Sequence, residues 1–326
     1  MEYENSVTVT KPLTDLIVSQ QMDLNLLDKD KVKELKQEIK TKKEQSYKEL
    51  ETYILDKCTE EQRKLVTGAK EKGASSWLSS PPLKRYGFVL NKQEFRDAVC
   101  LRYGWKITNT PQHCACGKLN SIDHTLICNL GGYTIMRHNE LRDTLARTMQ
   151  EVCNDVRTEP SLIPIPQDLD INGNKKDGAR PDISARSVWS PCEKTFFDVQ
   201  VSHPNAPSHI QKSFEVLYRE IEASKKATYN DRILNVEKAS FTPLAFTTTG
   251  GVGRECTKLI KQLANKIATK RQEQYCHVVA FLRTKLRFYL LKATLVAIRG
   301  IRGRQLREDD VSTNIDYNLI PRSFEL

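Results

Sequence analysis

The stretch Thr195-Phe196-Phe197-Asp198-Val199-Gln200-Val201 sets a single carboxylate among aromatic and β-branched residues. That composition reads as a strand. Successive side chains on a strand alternate between faces, so Asp198 and Gln200 share one face while Phe197, Val199 and Val201 turn to the other and pack. A carboxylate buried among such neighbours is costly alone and demands a metal ion or a cationic partner. Upstream, Arg180-Pro181-Asp182-Ile183 opens a strand expected over 179–188, and another is expected over 156–162. A polar loop over 168–178 with Asn172-Gly173-Asn174, and the break Trp189-Ser190-Pro191, separate the three.

Working outward, residues 136–153 carry Leu141, Leu145 and Met149 at four-residue spacing and predict a long amphipathic helix. Ile210, Phe214, Leu217 and Ile221 predict a second helix, from Ile210 to about Asn235. Residues 241–249 read as a strand ended by Gly250-Gly251, and two helices close the chain. Helix, three strands, helix, strand and two helices give an α/β class, an α+β mixed sheet flanked by helices. Ahead of this lie a helix over 93–103 with Phe95, Val99 and Tyr103 at helical spacing, and a Lys/Glu-rich helix over 31–55 without Gly or Pro. The first thirty residues have no sustained period and are expected to be poorly ordered or partner-dependent. The resulting division is a polar helical segment over 1–65, a helical linker with a cysteine cluster over 66–132, a core over 133–253, and basic helices with a tail over 254–326.

Composition narrows the functional classes. The 326 residues include 51 Lys+Arg against 41 Asp+Glu, for a net charge of +10, with 39% hydrophobic and 28% charged residues. No apolar run approaches a membrane span, because Arg283, Lys285, Arg287 and Lys292 interrupt the longest stretches. The acidic N-terminus lacks the apolar segment of a secretory signal, so an intracellular protein with reduced cysteines is expected. Residues 254–304 hold thirteen Lys or Arg against two Glu, a surplus of eleven that accounts for the whole net charge of the chain. A polyanion is the natural partner of such a segment, DNA first and RNA second, with Phe281, Phe288 and Tyr289 expected in the core and no role for a membrane surface.

Cys114-Ala115-Cys116-Gly117, then His124 and Cys128, form a CxCx7Hx3C pattern. Thiolate and imidazole are the ligands tetrahedral Zn2+ prefers, and four of them close a small loop that needs almost no core. A structural zinc is expected there, with His113 as a neighbouring fallback ligand. Asp182 and Asp198, on adjacent strands, are expected to hold Mg2+, a hard cation that takes oxygen ligands and activates water against phosphate. Gln200 is expected beside that water.

Together, the cysteine cluster, Arg137-His138-Asn139-Glu140-Leu141-Arg142-Asp143, Glu159-Pro160, Arg180-Pro181-Asp182 and Phe197-Asp198-Val199-Gln200-Val201 resemble the C-terminal part of proteins of site-specific non-LTR retrotransposons. In that family a CCHC zinc knuckle precedes a restriction-like endonuclease of the PD-(D/E)XK superfamily. The resemblance spans Gly73 to Thr249 and implies Mg2+- or Mn2+-dependent DNA nicking in the nucleus. It casts Asp182 and Asp198 as the catalytic, metal-binding acids and Glu140 as the acid that completes the site, with Glu159 its rival. Gln200 stands where the superfamily usually has Lys, and Lys212, Lys225 and Lys226 are candidates for a lysine displaced to the next helix. Arg137 and His138 would contact phosphate or brace their helix. The residues ahead of the knuckle are too few for the reverse transcriptase of such elements. Cutting both strands would require two copies, a homodimer. The alternative is a catalytically inactive, zinc-containing nucleic-acid-binding protein of the same fold.

Overall fold

In the computed structural model, which describes residues 29–163 and 180–300, the chain divides into two units, residues 1–59 and 60–326. The first contains α1 (Lys29–Lys57), a solvated helix as expected, with Lys42 Nζ 2.6 Å from Glu38 one turn back and Gln45 donating to Glu49. Residues 1–28, residues 164–179 with the polar loop expected over 168–178, and the basic residues Arg302 and Arg304 lie outside the described residues.

The second unit runs through α2 (Glu60–Lys70), the short α3 (Ser76–Ser79), α4 (Lys92–Tyr103), α5 (Ile122–Ile127) and α6 (Tyr133–Gln150). It continues through β1 (Asn154–Thr158), β2 (Ile183–Arg186), β3 (Lys194–Ser202), α7 (Phe214–Asn235), β4 (Ser240–Thr247), α8 (Arg254–Arg271) and α9 (Tyr275–Arg299). The cysteine segment, the sheet and the closing helices thus fall within one unit. The four strands lie in the order β1-β2-β3-β4, antiparallel except for the β3–β4 pair, which is parallel. A parallel neighbour needs a crossover, and α7 supplies it. From α6 onward this is the expected mixed sheet with flanking helices. No helix among the described residues is long and apolar enough to cross a membrane.

β3 is central and buried on both faces. Phe197 and Val199 enter the main core with Leu141, Leu145 and Met149 of α6 and the inner faces of α8 and α9. Phe196 faces the other way, against Tyr229 and Ile233 of α7 and Phe241 of β4. Phe288 and Tyr289 are core residues as expected, and Phe281 packs against the core.

Local chemistry shifts several boundaries. β1 ends at Thr158, short of the expected Leu162, because Glu159 takes a left-handed φ of 48° and Pro160 has no N–H to donate. α7 starts at Phe214 rather than Ile210: Ser213 caps it by accepting from Val216 N at 3.3 Å. The turns before it are held by Lys64, whose Nζ donates to the carbonyls of Pro204, His209 and Ile210 at 2.6–2.8 Å. α4 forms where expected but turns a different face inward. Asp97 and Ala98 are buried, whereas Phe95 and Tyr103 are each 50% exposed. The cause is distant in sequence: Arg299 at the end of α9 grips both Asp97 oxygens at 2.7 Å.

Beyond α2, the chain meets α7 through Glu71, whose Oε2 accepts from the Tyr218 hydroxyl at 3.0 Å. Burial pushes the Glu71 carboxyl up to about 7, with the Tyr218 bond opposing. A raised carboxyl stabilises the fold fully below its unfolded value near 4.5, and that contribution is lost as pH rises through about 7. The wild-type melting midpoint is therefore expected to fall between pH 5 and pH 8, the Glu71 share amounting to at most about 3 kcal/mol. Glu71→Gln should flatten that slope in thermal melts; an unchanged slope would refute the assignment.

Candidate functional site

Two acidic residues meet between β2 and β3. Asp182 immediately precedes β2, and its N–H pairs with Phe197 O at 3.0 Å, which places its side chain beside β3. Its Oδ2 accepts from Val199 N at 2.6 Å, and its Oδ1 lies 2.8 Å from His138 Nε2 on α6. Asp198, in mid-β3 and 4% exposed, faces α7, where Lys225 Nζ stands 2.6 Å from its Oδ2. Tyr229, one turn further along α7, lies against Asp198, and its hydroxyl donates to Arg180 O at 3.2 Å. Burial raises the Asp198 carboxyl above its ordinary value; Lys225 opposes this, and the nearby charge of Asp182 adds to it. Burial and the Asp198 carboxylate push the Tyr229 phenol up as well.

The other candidates fall elsewhere. Glu140 is two positions from His138, and two helical steps of 100° turn it away from the sheet. It sits instead 3.7 Å from Arg147, within electrostatic reach of Lys292 on α9, and burial raises its carboxyl. Glu159 pairs with Arg142 and, at 3.4 Å, with Arg180. Gln200 is on the Asp198 face as alternation requires, but its amide donates along the strand to Ser202 at 3.3 Å. Of the three candidate lysines, Lys212 pairs with Glu220 and Lys226 with Glu255; Lys225 alone reaches the acidic pair. Tyr229 and the role of His138 were not singled out from sequence. The signal for Lys225 and Tyr229 was present, since Leu217, Ile221, Lys225 and Tyr229 recur every four residues along the inward face of α7.

The four-residue cluster is assembled by a turn and a short helix. Gly117, with a left-handed φ of 86°, donates to Cys114 O at 2.8 Å, and Cys114 N donates to Lys118 O at 2.9 Å, folding Cys114 back beside Cys116. α5, capped by Ser121 accepting from His124 N, then presents His124 and Cys128 one turn apart. All four ligand atoms lie within 4.8 Å of one another, an arrangement that can hold a metal ion. Cys114 Sγ and Cys128 Sγ are 3.8 Å apart, and Cys116 Sγ is 3.2 Å from His124 Nε2. An edge of about 3.8 Å is what two thiolates 2.3 Å from one tetrahedral ion require. A backbone hydrogen bond from Lys118 draws the Cys116 thiol below its ordinary value, while burial raises that of Cys114. His113 stands outside the four, bridged to Leu119.

The cluster is tied to the sheet. Asp123 of α5 lies 2.8 Å from His203 Nε2, and His203 Nδ1 lies 2.8 Å from Thr248, just beyond β4. Arg137 is buried and ties α6 to α5 by donating to Leu126 O at 3.1 Å. The basic surplus is also partitioned. Arg287 and Lys292 are buried and Arg299 is held by Asp97, whereas Arg254, Lys258, Lys261, Lys270 and Arg271 line the exposed face of α8. No protein-family model and no curated protein sequence matches this chain.

Proposed function

We propose that this protein is a divalent-metal-dependent DNA endonuclease with a restriction-endonuclease-like core, and that its knuckle holds a structural zinc. The observation that carries this is Lys225 Nζ at 2.6 Å from Asp198 Oδ2, with Asp182 on the neighbouring strand. The cation missing at Gln200 is thereby supplied from α7. The order α6-β1-β2-β3-α7-β4, with an acid at the start of β2 and another in mid-β3, supports the same assignment.

The acidic pair suits a metal. Two adjacent carboxylates face one permanent cation, Lys225, and burial makes the ionised form of Asp198 unfavourable without further positive charge. Asp182 and Asp198 would hold Mg2+ or Mn2+, which when bound supplies a Lewis acid for the phosphate and a more acidic water. Lys225 would offset charge accumulating on the phosphate and fix the Asp198 rotamer. His138 and the Val199 amide orient Asp182, and Phe196 and Tyr229 exclude solvent behind the pair. The exposed α8 cations would bind the phosphate backbone, with affinity falling steeply as salt rises. A nuclear location accords with this activity.

The test is nicking of supercoiled plasmid with Mg2+ or Mn2+, with EDTA and Asp182→Ala as controls. Lys225→Met is expected to lower the nicking rate about a hundredfold and Lys225→Arg to restore part of it. Wild-type protein that binds DNA in a salt-sensitive way and never nicks would be a binding module, and the endonuclease proposal would fall.

A further inference from the structure

The end of α4 carries an aromatic shelf that the nuclease site does not use. Gly104, left-handed at φ 67°, ends the helix, and the N–H groups of Gly104 and Trp105 both turn back to Cys100 O, the latter at 2.9 Å. This reversal lays Trp105 over Tyr103 with ring centroids 5.1 Å apart and planes 26° from parallel. A stacked pair of this size is ordinarily covered, yet Trp105 is 57% and Tyr103 50% exposed. The Arg102 guanidinium lies 5.7 Å from the Tyr103 ring centre, and the exposed Lys106 follows Trp105.

Charge extends the shelf along the helix. Lys92, Arg96 and Tyr103 are spaced by four and seven residues, hence lie in one line along α4, and both cations are exposed. That line is about 16 Å long, a reach of two to three nucleotides. Between Lys84 and Lys118 there are seven Lys or Arg against Glu94 and Asp97, and Asp97 is already taken by Arg299. An apolar protein partner would not favour such a rim. A chain of phosphates with flat bases matches both the stripe and the rings.

We infer that Tyr103 and Trp105, with Lys92, Arg96 and Lys106, form a platform for unpaired DNA, on which one or two bases stack while the lysines and arginine take the phosphates. Choosing DNA over RNA rests on the proposed endonuclease activity; the platform itself rests on the exposed ring pair. It gives the protein a hold on a separated strand, independent of cleavage at Asp198.

Trp105 gives a direct readout, because Trp77 is 4% exposed and Trp189 is half-buried. In titrations of the full chain with fluorescein-labelled oligo(dT), oligo(rU) and a blunt duplex, oligo(dT) should quench the tryptophan emission and bind most tightly. Trp105→Ala and Tyr103→Ala should each weaken oligo(dT) binding about tenfold by anisotropy, and Trp105→Phe should recover most of it. Asp198→Asn should bind oligo(dT) as the wild type does, so loss of nicking there leaves the platform intact, and failure of nicking throughout would sink the endonuclease alone. Unchanged affinity in both alanine variants, with circular dichroism confirming their fold, overturns the platform. Tighter binding of oligo(rU) overturns its assignment to DNA.

Discussion

Asp198→Asn should abolish metal-dependent nicking, with a loss of at least about a thousandfold, while leaving the unfolding midpoint of the metal-free protein unchanged or higher. The loss follows if Asp198 is one of the two carboxylates that hold the metal, as proposed, and the substitution also removes the partner of Lys225. The second half is less expected, since breaking a buried pair usually destabilises. Here the folded state holds the Asp198 carboxyl above its ordinary value even with Lys225 beside it, so the ionised form is net unfavourable in place. Asparagine keeps the shape, ends the repulsion from Asp182, and leaves Lys225, 26% exposed, free to turn towards water. Plasmid nicking and thermal melts in EDTA measure the two effects. A sharp fall in midpoint with nicking retained would mean that Asp198 is a structural ion-pair partner and nothing more.

If the Cys114, Cys116, His124 and Cys128 cluster holds zinc as proposed, removing that metal should be the most damaging change to the local fold. Structural zinc contributes about 10–16 kcal/mol of apparent binding energy in small finger peptides, and that energy is folding energy. The apolar support at hand is slight: Ile107, Leu126 and Tyr133 against Ala297 and Ile298, with a few partly covered neighbours. A strong chelator, or Cys128→Ser, should therefore open the segment around Lys118 to trypsin and lower the first thermal transition by well over 10 °C. Purified protein should carry one zinc per chain by elemental analysis. A metal-free chain that resists trypsin at Lys118 would show that the thiols serve only as small core residues. Because Asp123 of α5 contacts His203, release of the knuckle should also loosen the end of β3.

What could be read from sequence was short-range. The β3 alternation around Asp198, the Leu141-Leu145-Met149 stripe and the four cluster ligands are each set by spacing within a few residues, and each lies in the structure where spacing puts it. Glu140 lies apart from the acidic pair because a motif gives a position in sequence and not a direction around a helix; His138, two residues earlier, is the α6 side chain that reaches Asp182. Lys225 was one of three candidates, although only it interrupts the apolar stripe of α7. The inward turn of Asp97 could not be read at all, since its partner Arg299 is 202 residues away. Lys64 is hidden in the same way, for its three acceptors are main-chain carbonyls more than a hundred residues on.

The two borders of the sheet bear on assembly. Along β4, Val252 bridges Phe246, Gly253 donates to Ala245, and Pro243 has no hydrogen to offer, so the returning chain occupies that flank. Along β1 the register slips between Asn154 and Arg157, Asp155 takes a left-handed φ of 47°, and charged side chains line the strand. Irregular, charged or covered flanks disfavour ladder formation with a second molecule. Copies of this protein should thus resist growing into a shared ribbon, and any pair that cuts opposite strands would have to meet through helices or through the DNA itself.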